Sequence, residues 1–298
     1  NRASTLLGIS DPVEIEKTFP RRYPLGLGII SVSPIRMAKA FATFANEGRS
    51  VEPIAIRYVE DRQGNIILEP EKELRAEQAQ KAEELQILTP QEAYIMVDLL
   101  KSTVEFGTLA NRRRNVGGFD DMPMAGKTGT TQNWSDAWTV GFSPHLTTAV
   151  WFGFDVPGNS LGINQTGATA AGPIWAEYMK DIHTDLPVKE FSKPETGLIE
   201  VNVCSKSGML PTENCHTTKD EIFLKGTEPQ SLCRLCEFEK ERNQTLLRRL
   251  QTDVLTENVS FEDFEMPTMD DSFSIDPELN AEFEQIDEST TIDNPLLD

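Results

Sequence analysis

Between residues 35 and 45 the apolar positions recur every three or four residues, which predicts an amphipathic helix. Ser33-Pro34 supplies an N-cap and a proline at the first helical position, and Gly48 ends the segment. Phe41 and Phe44 belong to the same apolar pattern. We therefore interpret both rings as core side chains rather than as a platform for a ligand.

The pattern then changes to shorter apolar runs. Residues 54–59 and 66–68 are rich in isoleucine and flank a polar turn, so they predict a β-hairpin. Residues 69–86 are charged and alanine-rich, which indicates a solvated helix or a linker. A second amphipathic helix is predicted to begin at Thr89-Pro90 and to stop near Gly107.

Three strand-like segments follow in close succession. Residues 124–131, 136–142 and 147–154 are rich in β-branched or aromatic side chains, and the turn Ser143-Pro144-His145 joins the last two. They predict a meander of antiparallel strands. A helix from about 173 to 179 is expected to pack on it, so the fold class is α+β, an antiparallel sheet with packed helices.

Charge divides the chain unevenly. The formal net charge of the 298 residues is −20, and residues 251–298 contain 15 acidic residues and no Lys or Arg, which leaves −5 for the rest. A mildly acidic body argues against nucleic acid as a partner. We predict a main domain over residues 1–183, a small cysteine-containing module over 184–240, and an acidic, disordered tail over 241–298.

The densest candidate chemistry lies in the first strand of the meander, where Lys127, Thr128 and Gly129 are consecutive. A nucleotide-binding P-loop would need a glycine five residues before Gly126, but that position holds Asp121, whose carboxylate would repel phosphate. The other family of sites with this tripeptide is the K-T-G box of serine β-lactamases and penicillin-binding proteins. In a regular strand, neighbouring side chains would point to opposite faces of the sheet.

Several motifs in the right order extend this likeness beyond the box. Together they resemble the class A penicillin-binding proteins, which are bifunctional peptidoglycan glycosyltransferase/transpeptidases, over about residues 5–235. The resemblance implies the C-terminal part of a penicillin-binding, serine β-lactamase-like transpeptidase fold. The matching segments are 25–28, 33–38, 44–48, 126–131, 136–138, 140–144 and 170–175.

The resemblance implies a role for each residue of the box. Lys127 and Thr128 would hold the terminal carboxylate of a peptidoglycan stem peptide, and Gly129 would leave the strand edge open. The backbone N–H of Thr130 would be one of the two oxyanion donors. The reaction would be serine D,D-transpeptidation on D-Ala-D-Ala peptides, with β-lactams trapped as acyl-enzymes. It requires no cofactor and no catalytic metal.

The family's nucleophile motif is missing from this chain. No serine is followed by lysine three residues later, none begins a Ser-x-Asn box, and the nearest approach is Ser33 with Arg36. No Ser/His/Asp arrangement stands out, because His145, His183 and His216 lie in turn-like or linker-like segments. Both missing motifs precede the box in the family. We expect a C-terminal piece that carries half of an active site and is inactive alone.

The resemblance also implies surroundings. It predicts an upstream glycosyltransferase domain, an N-terminal membrane anchor, a catalytic domain on the periplasmic side of the inner membrane, and partners in cell-wall synthesis. Two alternatives remain open at this point. One is a non-catalytic cell-wall scaffold that retains the fold, which the missing serine favours and the intact box opposes. The other is a D,D-carboxypeptidase with water as the acceptor.

Four cysteines cluster near the end of the small module. One C-x-x-C pair with two scattered cysteines is a moderate signal for structural zinc. In the compartment that the resemblance implies, disulfides persist, and they are favoured over zinc. The sequence cannot choose among the three disulfide pairings. The four residues are Cys204, Cys215, Cys233 and Cys236, with His216 beside the second.

Overall fold

The structure, a computed structural model, describes residues 2–19, 25, 28, 30–117, 121–156 and 158–256, with side chains to residue 248. The helices are α1 Arg2–Leu6, α2 Pro12–Thr18, α3 Pro34–Ala45, α4 Pro70–Gln80, α5 Pro90–Glu105, α6 Ala110–Val116, α7 Gly172–His183 and α8 Leu235–Thr256. The strands are β1 Val59–Glu60, β2 Ile66–Leu68, β3 Ala125–Thr130, β4 Ala137–Phe142, β5 Thr147–Phe152, β6 Leu198–Cys204 and β7 Thr218–Leu224.

The central element is an antiparallel sheet with strand order β3-β4-β5. The register is regular, with Lys127 opposite Val140 and Thr128 opposite Thr139. The expected meander and the α+β class are confirmed. Because β3 has a neighbour on one side within this sheet, it is an edge strand, and its other side can accept a further extended segment.

Helices cover both faces of the sheet, and two clusters of side chains hold them there. Phe142 of β4 packs edge-to-face against Phe41 of α3 and Phe191, with ring centroids 6.3 and 5.6 Å apart. Trp175 of α7 is fully buried with Met124 and Met179 in the other cluster. The core assignment of Phe41 from the sequence is therefore confirmed, since its ring contacts the sheet.

The main helices begin as the sequence predicts. In α5, the Thr89 hydroxyl accepts a hydrogen bond from the Glu92 backbone N–H, and the Glu92 carboxylate accepts one from the Thr89 N–H. This reciprocal capping box satisfies two backbone donors that a helix start leaves free. Ser33 is the N-cap residue of α3, although its side chain makes no capping bond.

The first predicted hairpin is much shorter than expected. The strand expected over 54–59 is wrong except at its end, because β1 contains two residues and pairs with β2 from position 59 onwards. Ile54, Ile56 and Tyr58 are exposed, so burial does not hold this segment extended. The charged stretch 69–86 contains helix α4, as one of its two interpretations predicted.

The chain divides into two compact units, Asn1–Glu237 and Phe238–Asp298. The first unit ends in a hairpin of β6 and β7, followed by a loop that leads to α8. In the second unit, the backbone is helical through residue 256, within the predicted tail region. The rest of the predicted tail, 257–298, and the motif residues 26–27 lie outside the described residues.

Candidate active site

The K-T-G box forms the exposed part of edge strand β3. The strand begins buried at Ala125 and Gly126 and becomes accessible from Lys127 onwards. The Lys127 Nζ donates to the Thr128 carbonyl oxygen over 2.8 Å. The regular register puts the side chains of Lys127 and Thr128 on opposite faces, as the sequence predicted, and the lysine chain folds back toward the next residue's backbone.

A second threonine supports the box from the loop between α5 and α6. The hydroxyl oxygens of Thr108 and Thr128 are 2.9 Å apart, so the two groups share a hydrogen bond. This contact orients the Thr128 side chain on the face opposite to Lys127. Sequence reasoning missed Thr108, since nothing in its local pattern distinguishes it from any other loop residue.

A short helical turn before α7 contacts the end of β3. Residues Gly167–Ala171 form one π-helical turn directly before α7. The Gly167 N–H donates to the Thr130 hydroxyl over 3.0 Å, and the buried Thr139 hydroxyl donates to the Gly167 carbonyl over 2.9 Å. Gly167 therefore connects the last box residue to the neighbouring strand β4.

Only a glycine can occupy position 167 without displacing the strand. A methyl group on its Cα would lie 2.2 Å from the Trp138 carbonyl oxygen and 2.6 Å from that of Gly129. Both distances are far shorter than van der Waals contact, and both oxygens belong to backbone. In the sequence, residues 159–172 are rich in glycine, threonine and alanine, which indicates a loop. This composition does not show which residue Gly167 contacts.

A hydrogen-bonded loop closes the turn from β3 to β4. Asp136 accepts from the Thr131 hydroxyl over 3.0 Å, and the Asp136 N–H donates back to the same hydroxyl oxygen over 2.8 Å. The other Asp136 carboxylate oxygen accepts from the Trp151 indole N–H over 2.9 Å. The carboxylate thus ties the end of the box strand to β5.

This arrangement can bind an anionic, extended ligand. It offers an ammonium group at Lys127, a hydroxyl at Thr128 and the backbone of an edge strand, with Gly129 adding no side chain of its own. A carboxylate can accept charge-assisted bonds from such a set, and an extended peptide can pair with a strand edge. The four box residues, 127–130, are consecutive on the one strand β3.

The structure contains a serine–histidine pair that sequence reasoning missed. His183 ends α7 rather than lying in a linker, and its Nε2 is 2.6 Å from the Ser143 Oγ. Ser143 also accepts from the backbone N–H groups of His145 and Leu146, so its hydroxyl hydrogen is directed to His183. The His183 Nδ1 is 2.6 Å from the Met179 carbonyl oxygen. The ring N–H of the histidine is therefore at Nδ1 and donates to this carbonyl.

Burial distinguishes this pair from a nucleophile and base. Ser143 is 0% exposed and His183 is 5% exposed, so a substrate carbonyl has no access to the hydroxyl. Desolvation lowers the pKa of His183, which keeps the ring neutral. The pair is a buried polar link between the β4–β5 turn and α7.

The three consecutive arginines at 112–114 lie in helix α6. Arg113 donates from Nη2 to the Met122 carbonyl oxygen over 2.7 Å. This bond joins α6 to the segment that enters β3. A run of charged residues is compatible with a helix here, because arginine is a good helix former and its long aliphatic stem can pack against apolar surface.

The four cysteines converge in the small module, and the structure records all of them as free thiols. Their sulfur atoms lie within 4.8 Å of one another. Cys204, Cys233 and Cys236 are buried, and Cys215 is half-buried. His216 is not a member of the converging group.

Two family models match this chain, one over the region of the sheet and one over the cysteine module. The family described as Penicillin binding protein transpeptidase domain matches residues 16–180. A second family, described as Penicillin-binding protein 1A, C-terminal domain, matches residues 194–237. Among the described residues, no helix combines the length and apolar character needed to cross a membrane.

Curated proteins with similar sequences belong to the same family. Penicillin-binding protein 1A of Aquifex aeolicus is 37% identical over 211 residues, which is 71% of this chain and 27% of that protein. Penicillin-binding protein 1A of Clostridium tetani is 35% identical over 213 residues, covering 69% of this chain and 25% of that protein. The chain therefore spans about a quarter of the length of these relatives.

A solved structure agrees in fold. Penicillin-binding protein 1A from Haemophilus influenzae aligns with a TM-score of 0.62 and 25% identity, covering 77% of this chain and 36% of that one. The transpeptidase family match covers more than half of the chain and includes the whole of the β3-β4-β5 sheet. This chain belongs to the penicillin-binding protein transpeptidase family.

Proposed function

We propose that this chain supplies the substrate-binding half of a serine D,D-transpeptidase site that cross-links peptidoglycan. One observation carries the proposal. Inside the matched transpeptidase region, an accessible edge strand presents Lys127, Thr128 and Gly129 in sequence. Hydrogen bonds between Thr108 and Thr128 and from Gly167 to Thr130 hold this strand in place. A scaffold without substrate would have no need of a cation and a hydroxyl at an open strand edge.

In this proposal the stem peptide lies along β3 as an added strand. Its terminal carboxylate accepts from the Lys127 ammonium and the Thr128 hydroxyl. Because these two side chains leave opposite faces of β3, the lysine must give up its bond to the Thr128 carbonyl and reach around the strand edge to the ligand. The Thr130 N–H donates to the oxyanion that forms on the penultimate D-Ala carbonyl. Gly129 lets the peptide backbone approach closely.

The acylating serine and its lysine base would come from residues other than 1–298. The serine oxygen would attack the penultimate carbonyl and the terminal D-Ala would leave, protonated at its amine. An amine of a neighbouring stem peptide would then take the acyl group and release the serine. β-Lactams would form the same acyl bond and remain attached. The reaction would take place on the periplasmic side of the inner membrane, where its substrate lies.

The test is covalent labelling with a fluorescent penicillin, read on a denaturing gel. We would compare the 298-residue chain with the protein isolated from its source cells, each with and without Lys127→Ala. We expect label on the isolated protein alone, and a labelling rate about 10–100-fold lower for Lys127→Ala, since a hydrogen bond to a charged group contributes about 1.5–3 kcal/mol. Lys81→Ala is the matched control, because Lys81 pairs with Glu77 on an exposed face of α4.

Each other outcome changes the proposal in a specific way. Label on the 298-residue chain would show that the nucleophile lies within it. An isolated protein that takes no label would favour the scaffold. Equal labelling of Lys127→Ala and Lys81→Ala would remove Lys127 from the site. If the protein that takes the label is instead given a D-Ala-D-Ala stem peptide, and releases D-Ala and the shortened free acid with no cross-linked product, the carboxypeptidase would be favoured.

A further inference from the structure

The small module brings four thiols to one point from three separate segments. Cys204 ends β6, Cys215 lies in the loop before β7, Cys233 lies two residues before α8, and Cys236 is the second residue of α8. All four sulfur atoms lie within 4.8 Å of one another. A convergence of this kind has a definite geometric meaning, because unrelated buried cysteines have no reason to meet four at a time.

The spacing is that of ligands around one ion. With zinc–sulfur bonds of about 2.3 Å, the sulfurs of a tetrahedral site are about 3.8 Å apart. The Cys204 and Cys236 sulfurs are 3.6 Å apart. Two disulfides would instead bring each sulfur to about 2.05 Å from one partner, giving two pairs rather than a group of four mutual neighbours.

Backbone hydrogen bonds hold the ligand-bearing loops in place. The Cys204 N–H donates to the Met209 carbonyl oxygen over 2.8 Å, which folds the chain after β6 into a tight loop. The Cys233 N–H donates to the Leu210 carbonyl oxygen over 2.8 Å and joins the third cysteine to that same loop. The two loops are therefore fixed relative to each other before any ligand is considered.

The half-buried sulfur has donors of its own. The Thr212 N–H points to the Cys215 Sγ at 3.4 Å, and the Thr212 hydroxyl oxygen is 3.6 Å from the same atom. Donors directed at sulfur stabilise the thiolate form, and the outer partners of metal ligands orient them in this way. A thiolate is the form that binds a metal ion.

The module has little hydrophobic core of its own. Among residues 194–237, all of which the structure describes, the buried side chains are Val203, Cys204, Cys233 and Cys236. A two-stranded hairpin is marginal by itself in water. Small units without a core depend on disulfides or on a structural metal.

We propose that the module binds one structural Zn²⁺ through four thiolates, an assignment that reverses the preference for disulfides drawn from the sequence. Binding forms four Zn–S bonds and releases to solvent the protons of the thiols that were protonated. The ion closes the loops around the start of α8 and takes the place of a hydrophobic core. The ligands are Cys204, Cys215, Cys233 and Cys236.

The first test is the metal and thiol content of the 298-residue chain, purified without chelators. We expect about one zinc per chain by elemental analysis, as a single four-coordinate site requires. Four thiols should react with a thiol reagent after chelation and denaturation. Reconstitution with Co²⁺ should give the intense visible bands of a tetrahedral thiolate complex. These measurements need no penicillin binding, so their failure is distinct from failure of the proposed function.

Ligand variants give the second test. Cys215→Ser should weaken Zn²⁺ affinity by more than the roughly 10–100-fold that loss of an outer partner causes. Cys215 is chosen because it is the half-buried ligand, so its replacement disturbs packing least. His216→Ala is the matched control and should keep the metal, because His216 is adjacent in sequence but outside the converging group.

Three results would overturn the proposal. The first is a metal-free chain whose intact mass is lower by the hydrogens of two disulfides. The second is a reduced, metal-free chain that takes up neither Zn²⁺ nor Co²⁺. The third is loss of zinc in His216→Ala with retention in Cys215→Ser, which would assign a different ligand set.

Discussion

The sheet body and the cysteine module belong to the same compact unit but are stabilised by different means. In the body, helices on both faces bury large side chains such as Trp175 and Phe142, each fully inaccessible. In the module, the buried side chains over residues 194–237 are Val203 and three of the four cysteines, and several large apolar side chains, such as Leu232, stay exposed. Packed apolar area stabilises the body, whereas for the module we propose stabilisation by a zinc ion bound to the four sulfurs.

The difference explains where each region can carry function. A packed body holds β3 rigidly at its edge, so the ammonium of Lys127 and the hydroxyl of Thr128 stand on a fixed frame. Under the proposed function, this frame preorganises the donors that acyl transfer requires. The module has no comparable core, and in our proposal its cysteines bind a structural ion and take no part in a reaction. The following predictions test this contrast.

Removal of zinc should have the largest effect, and only on the module. Apparent binding free energies of structural zinc are about 10–16 kcal/mol in small domains, so a chelator should unfold the hairpin locally. We expect amide exchange to accelerate strongly in β6 and β7 while β4 keeps its protection. Exchange measured by mass spectrometry checks this, with chelator added to Cys215→Ser as the control. Unchanged protection in β6 and β7 would show that the hairpin is stable without the ion.

Trp175→Ala should destabilise the body and leave the zinc site of the module unchanged. Removing a fully buried tryptophan costs about 3–5 kcal/mol, since the cavity cannot close. The midpoint of urea denaturation should fall accordingly, while zinc content stays unchanged. Ile174→Ala is the matched control, because Ile174 is the preceding residue and is 48% exposed. A similar loss in both variants would contradict the assignment of Trp175 to the core.

Gly167→Ala should destabilise the body less, but at the site itself. Its added methyl group would collide with two backbone oxygens, at 2.2 and 2.6 Å. Overpacking of this kind costs about 1–3 kcal/mol. We expect faster amide exchange in β3 and weaker penicillin labelling of the isolated protein. Wild-type exchange in β3 would mean that the π-helical turn can move without carrying the strand with it.

The smallest expected effect is a dependence of body stability on pH. Burial lowers the pKa of His183 below its ordinary value of 6.5, so the unfolded chain takes up a proton first as pH falls. By linkage, stability is fully present above the unfolded pKa and is lost as pH falls from about 6.5 through the folded pKa. Denaturation midpoints between pH 7.5 and 5 check this.

His183→Asn is the variant for the pH experiment, since asparagine keeps a polar group but does not titrate. It should flatten the dependence on pH in that window, at some cost in stability at pH 7.5. Retention of the wild-type slope would assign the titration to another group. The zinc module should add its own loss at low pH, because protons compete with the ion for thiolates, and the Cys215→Ser variant separates the two.

The sequence predicted the local elements where neighbouring residues determine them. The helix at 90–105 has its capping box and period within one segment, and the sheet strands have β-branched and aromatic runs with short turns between them. The box residues 127–130 were found because they are contiguous. The short strand β1 was overestimated, since isoleucines without a partner strand do not form a sheet.

What the sequence determined by itself is therefore the set of local elements, the consecutive box on β3 and the family resemblance that these motifs carry. The tertiary structure decided which distant residues complete them. Thr108 and Gly167 contact the box from 20 and 37 positions away, and Ser143 meets His183 across 40. The four sulfurs converge from segments that span residues 204–236. Such contacts depend on how strands and helices pack, and no local pattern of residues records that.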